Sequence, residues 1–155
     1  MAAYRVVAVP DEVARAVRET GRSPRYGHPT HADVAQGYGP CRLCLRFFRR
    51  GEERRILFTY DAFEGTETLP LPGPVFIHES PCVRYPEDGG FPTHLGEHRL
   101  TLNAYGHGRQ LRAETIVDDG RVEPAIERLL DRTDVDYIHV RDTNAGCYDL
   151  RIERA

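Results

Sequence analysis

Four soft donor residues fall into two closely spaced pairs, Cys41-Arg42-Leu43-Cys44 and, after 33 intervening residues, His78-Glu79-Ser80-Pro81-Cys82. C-x2-C and H-x3-C spacings suit tetrahedral zinc, which takes thiolate and imidazole ligands. A two-residue spacer lets a tight turn aim both sulfurs inward, and Gly39-Pro40 supports a turn just before it. In the second pair, Pro81 disfavours helical geometry at Ser80. The expected arrangement has Ser80 as an N-cap, Pro81 at the first helical position and Cys82 in the first turn of a short helix ended by Pro86, where thiolate is favoured. Together these features predict a treble-clef-like zinc knuckle across residues 39–86. The same residues also admit a metal-free site in which the cysteines are small buried hydrophobes. A redox pair at Cys41 and Cys44 is a third reading, although the run from Leu45 to Gly51 is a poor start for the helix that a thioredoxin-type motif needs. If all four residues bind, the zinc is structural, because catalytic zinc keeps one position open.

The chain does not need a metal merely to fold. Its 155 residues match one ordinary domain, expected to span 1–155, and folding at this size buries roughly 68–70% of the unfolded chain's surface. No stretch approaches the ~18 uninterrupted apolar residues of a membrane helix. The apolar run at residues 4–9 is interrupted by Arg5 and stopped by Pro10, unlike a signal peptide. A reducing cytoplasm is therefore the expected location, one in which four cysteines favour metal or reactivity over disulfides. All 21 basic residues are arginine, yet the net charge is −3, which argues against a chain built as a whole to sit on nucleic acid or an anionic membrane.

Residues 4–9 read as a first strand. Pro10-Asp11-Glu12 opens an amphipathic helix with Val13, Ala14 and Val17 on one face, ended by Gly21. Residues 21–40, rich in Gly, Pro, His and Arg, read as a long loop or ragged edge strand. Period-two alternation marks strands at 54–60 and 74–78, and a hairpin joins 100–105 to 110–117 through Gly106-His107-Gly108. A second helix carries Val122, Ile126, Leu129 and Leu130 toward the core, with Pro124 at its expected first position. Residues 135–140 and 147–152 form a last hairpin. The element order predicts an α+β domain with a mainly antiparallel sheet and both helices on one face.

Three further groups of residues carry weaker signals. His94-Leu95-Gly96-Glu97-His98 spells the inverted zinc-protease pattern, but Pro92, Gly96 and the strand beginning at Leu100 leave no room for the helix that chemistry requires. Tyr137, His139 and Arg141 share one strand face, with Cys147 on the returning strand, so His139, Arg141 and Cys147 are candidate catalytic residues of a pocket covered by residues 21–40. The loop itself offers His28 and His31 near Arg22 and Arg25 for an anionic ligand. Finally, Arg42, Arg46, Arg49, Arg50, Arg54 and Arg55 surround Phe47 and Phe48, as in nucleic-acid knuckles. Glu52 and Glu53 and the overall charge disfavour nucleic acid as the partner; a small molecule or a protein is left open.

The Gly37-Tyr38-Gly39-Pro40-Cys41-Arg42 turn, the Gly51-Glu52 bend, the strand from Gly73 to His78, and the segment from Val135 to Arg141 followed by Gly146-Cys147 and Arg151-Ile152-Glu153-Arg154 resemble the bacterial domain of unknown function 1203. The resemblance covers essentially the whole chain. It implies a stand-alone bacterial protein and no particular activity, with Pro40-Cys41-Arg42 and Gly146-Cys147 as characteristic parts. The leading reading is a small cytoplasmic protein with one structural zinc on Cys41, Cys44, His78 and Cys82, acting as a binding or accessory module. The alternatives are a metal- or His/Cys-dependent enzyme and a nucleic-acid-contacting knuckle.

Overall fold

Pro10, with φ of −62°, leads directly into helix α1 (Asp11–Thr20) in the computed structural model, which describes residues 3–37 and 39–155. Tyr38, one of the residues that carry the family resemblance, lies outside the described residues, as do Met1 and Ala2 of the apolar N-terminal run. The chain divides into two compact units. One comprises residues up to Val7, Phe63–Pro70 and Pro86–Ala155, and the other comprises Ala8–Ala62 and Leu71–Tyr85.

The second of these units holds α1. Asp11 and Glu12 complement the positive end of the helix and Arg18 its negative end, while Ala14 and Val17 are buried. Gly21 ends the helix at φ 65°, its N–H donating to the Val17 carbonyl at 3.0 Å. A β-carbon there would have open space around it but a left-handed backbone beneath it. Gly21→Ala should therefore cost about 1 kcal/mol. An unchanged urea midpoint would contradict that reading of the cap.

Strands β2 (His31–Val34), β3 (Arg54–Asp61) and β4 (Pro72–His78) form an antiparallel sheet in the order β2-β3-β4. The ragged edge expected within 21–40 is β2. Period-two geometry puts Ile56, Phe58, Val75 and Ile77 on one buried face, and Arg55, Phe76 and His78 on the other. On that second face the Arg55 guanidinium lies 3.8 Å from the centre of the Phe76 ring and bonds Asp33 at 2.9 Å.

The other unit is built on strands β1 (Tyr4–Val7), β5 (Leu100–Gly106), β6 (Gln110–Val117), β7 (Tyr137–Asp142) and β8 (Tyr148–Arg154), ordered β1-β8-β7-β5-β6, each neighbouring pair antiparallel. Val6, Leu100, Leu102, Ala104, Ile138, Val140, Leu150 and Ile152 are all buried. Helix α2 (Val122–Leu130) buries Val122, Ala125, Ile126 and Leu129. Pro124 is its third residue rather than its first, which is tolerated because the first helical N–H groups lack intrahelical partners anyway.

The α+β class with antiparallel pairing and two helices is observed. The placement of both helices on one face of one sheet is not: among the described residues there are two sheets, and each unit holds one α-helix. Alternation tells which face of a strand is buried but not which sheet the strand joins. Among the described residues, no helix is long and apolar enough to cross a membrane.

Candidate metal centre

A tight turn places the first two sulfurs. Cys41 N–H donates to the Arg46 carbonyl at 2.9 Å, Leu45 N–H to the Cys41 carbonyl at 2.8 Å, and Pro40 bridges Phe47 as in a short hairpin. Leu45 takes φ 62°, a conformation that costs a non-glycine residue roughly 1–2 kcal/mol. Its side chain is fully buried, and that burial, worth about 1.5–3 kcal/mol, offsets the strain. The turn is fixed to its surroundings through Arg42 N–H to Phe76 O, Val9 N–H to Arg42 O and Tyr85 N–H to Leu43 O, each at 2.9 Å.

His78 ends β4 beside this turn. Its backbone N–H donates to Cys41 Sγ at 3.2 Å, and its Nδ1 lies 3.4 Å from Cys44 Sγ. Cys82 Sγ lies 3.7 Å from Cys41 Sγ. The four donor atoms all fall within 4.8 Å of one another, and among the described residues they are the group of His, Cys and acidic side chains that could hold a metal ion. Cys41, Cys44 and His78 are buried, and Cys82 is half-exposed.

The helix expected at Pro81 is absent. Residues 81–86 run without helix or strand, because their polar groups are committed elsewhere. Arg84 donates to the carbonyls of Val9 and Ala8 at 3.1 and 2.9 Å, and Tyr85 N–H bonds the Cys41 to Cys44 turn. The Arg18 guanidinium donates to the carbonyls of His78 and Ser80, at 3.0 and 3.2 Å, and approaches Cys82 Sγ at 3.6 Å. Cys82 thus meets a guanidinium instead of a helix N-terminus, and both favour thiolate.

Glu53 completes the cluster. It lies just before β3, whose Arg55 pairs with His78, so Glu53 is a diagonal neighbour of the imidazole across the strands. A carboxylate can only accept, so Nε2–H of His78 donates to Glu53, which leaves Nδ1 as the ring nitrogen that faces the sulfurs and would ligate a metal once unprotonated. Arg49 holds the other Glu53 oxygen at 3.2 Å. Nothing in the spacing of the ligands points to Glu53 or Arg18. Only the strand register and the position of α1 reveal them.

The electrostatics describe donors short of positive charge. Burial pushes the Cys41 thiol up, but bonds from Cys44, Cys82 and His78 reverse this and hold it well below the ordinary thiol range. Bonds to Cys41 and Cys44, with burial, push Cys82 up. Burial depresses His78, yet Cys41, Cys44 and Glu53 raise it to about 10. Left to themselves, the donors gather one negative charge on Cys41 and a proton on His78; a divalent cation is the charge that would let three thiolates coexist.

Residues 38–154 match the family model described as protein of unknown function (DUF1203). The chain belongs to this family. No curated protein and no solved structure matches it. All four donors and Glu53 of this DUF1203 protein fall within the matched segment, whereas α1 with Arg18 precedes it.

The other candidate residues do not converge. His139 is fully buried, its ring centre 4.5 to 5.4 Å from those of Phe63, Tyr148, Tyr105 and Tyr137. Cys147 is exposed in the turn before β8, with its thiol against Ala145 O. His139 pairs with Arg151, four residues further along, so the cysteine lies about 13 Å away at ~3.3 Å per residue. Arg141 turns to the Gly146 carbonyl at 3.4 Å. The inverted protease pattern forms only a 3-10 turn at Leu95–Glu97, with His98 extended, so its two histidines do not share a helix face. In the loop, His28 bonds Thr59 and Arg22 bonds Gly27 O, while His31 and Arg25 are exposed. Of the arginine stretch, Arg42 is buried against Pro40 O, Arg49 pairs with Glu52 and Glu53, and Arg54 pairs with Glu79. Phe48 is buried edge-on to His78 at 4.7 Å, leaving it no face for a base to stack on.

Proposed function

We propose that this DUF1203 protein holds one structural zinc ion on the sulfurs of Cys41, Cys44 and Cys82 and on Nδ1 of His78, and that it works as a small binding or accessory module. The observation that carries this reading is the length of two edges of the cluster. Zn–S bonds of about 2.3 Å and Zn–N bonds of about 2.0–2.1 Å at tetrahedral angles require S···S and S···N edges of roughly 3.8 and 3.6 Å. The corresponding edges are 3.7 and 3.4 Å. Three thiolates and Zn²⁺ leave one negative charge, which the Arg18 guanidinium at Cys82 offsets.

Four protein donors close the ion's coordination, so the metal supplies rigidity and not a reaction centre. That favours a binding role over catalysis at the metal. A cleft of about 450 Å³ beside the cluster, lined among others by Arg46, Arg49 and Ser80, is a surface such a role could use. Unbridged cysteines, three of them spent as donors, support a reducing compartment and hence the cytoplasm.

Elemental analysis of the purified protein beside Cys44→Ser and His78→Ala tests the reading. About one zinc per chain in the parent, lost in both variants, is the expected result. A parent prepared reduced and without chelator that carries no metal would overturn it.

A further inference from the structure

We infer that the cluster is an oxidant-labile site, in which a peroxide converts Cys41 and Cys82 into a disulfide and so expels the zinc; this rests on the metal reading above. The four donors are not equivalent. Cys41 and Cys44 are 0% and 6% exposed and are held in a hydrogen-bonded turn, whereas Cys82 is half-exposed and forms part of the wall of the 450 Å³ cleft. A small neutral oxidant arriving through that cleft meets the Cys82 sulfur first. As a zinc ligand Cys82 is held as the thiolate, the nucleophilic form, and the Arg18 guanidinium lies 3.6 Å from its sulfur.

The second sulfur is already in place. Cys41 Sγ lies 3.7 Å from Cys82 Sγ, and a disulfide needs about 2.05 Å. Cys82 can supply the movement, since it sits in a stretch without helix or strand beside Val83, which is 86% exposed. Cys41, bonded through its own N–H and C=O, cannot.

The chemistry balances. The Cys82 thiolate attacks the peroxide O–O bond, forming an S–O bond and releasing hydroxide. The Cys41 thiolate then attacks the Cys82 sulfenic sulfur, forming the S–S bond and releasing the second hydroxide. The two sulfurs lose two electrons, and the peroxide, taking up two protons, becomes two waters. Two of the four donors are lost, and Cys44 with His78 is too small a set to retain the ion.

The test uses Cys147→Ser protein, which removes the exposed thiol outside the cluster, with its zinc content measured first. Hydrogen peroxide should release the zinc in step with the loss of two thiols, and peptide mass mapping should find Cys41 joined to Cys82. A thiol reductant with added zinc should restore both. Zinc retained under peroxide that consumes the thiols of the urea-unfolded protein, or a Cys41 to Cys44 bridge, would overturn the inference. Protein that carries no zinc from the start would count against the metal reading alone, and the Cys41 to Cys82 bridge would still be scored directly.

Discussion

Stripping the metal with a chelator, or replacing Cys44 by serine, is expected to abolish hydrogen-exchange protection through the turn at 39–48 and the end of β4. Zinc bound by such ligand sets contributes roughly 10–16 kcal/mol of apparent binding energy at neutral pH, against the 5–15 kcal/mol by which whole domains are stable. Without the ion, this unit would hold three sulfurs and the His78 ring buried in mutual contact, with charge on Cys41 and His78 taken out of water. Relief comes from letting the turn open. The sheet of β1, β5, β6, β7 and β8 has its own buried core and no donor to the cluster. Its protection should persist at the chelator concentration that melts residues 39–48. Equal loss in β5 and β7 at that concentration would contradict a role confined to the metal-bearing unit.

Glu53→Ala is expected to weaken zinc binding by 10–100-fold, measured by competition with a chromogenic chelator. The carboxylate touches no donor sulfur. It acts by accepting the Nε2 proton of His78, which fixes the ring orientation and raises the basicity of Nδ1. Glu53→Gln keeps an acceptor oxygen and should lose less than the alanine variant. If alanine and glutamine bind zinc as tightly as the parent, Glu53 is not a positioning residue for His78. Removal of a charge pair alone does not predict this ordering. Arg49, which holds the other Glu53 oxygen, offers a check, since Arg49→Met should weaken binding less than Glu53→Ala.

The clustering of Cys41, Cys44, His78 and Cys82 was legible because two short spacings bring side chains of matching chemistry together in sequence order. The elements around them were legible where a local rule dominates. Gly21 ends α1, alternation marks β3, and Gly106-His107-Gly108 turns the β5 to β6 hairpin. What escaped the sequence is non-local. Glu53 is recognisable only once Arg55 is known to pair with His78, and Arg18 only once α1 is known to end beside the His78 and Ser80 carbonyls. The short helix at Pro81 failed because a capping pattern lost to tertiary bonds made by Arg84 and Tyr85. His139 and Cys147 looked like a pair because a hairpin brings their strands together, yet the register puts Arg151 opposite the histidine.

The pairing of β1 with β8 bears on how the protein is made. Tyr4 lies opposite Arg154, so the five-stranded sheet stays incomplete until residues 148–154 have left the ribosome. The unit that carries the cysteine and histidine cluster is assembled from residues 8–62 and 71–85 and is exposed to the cell much earlier. At about 5–20 residues per second, synthesis of the next 70 or so residues takes several seconds. Over that interval the nascent β1, carrying Val6 but no partner strand, is an open edge. A chain that captures its ion during translation would shorten the list of partly folded species in which that edge meets exposed apolar residues of its own kind.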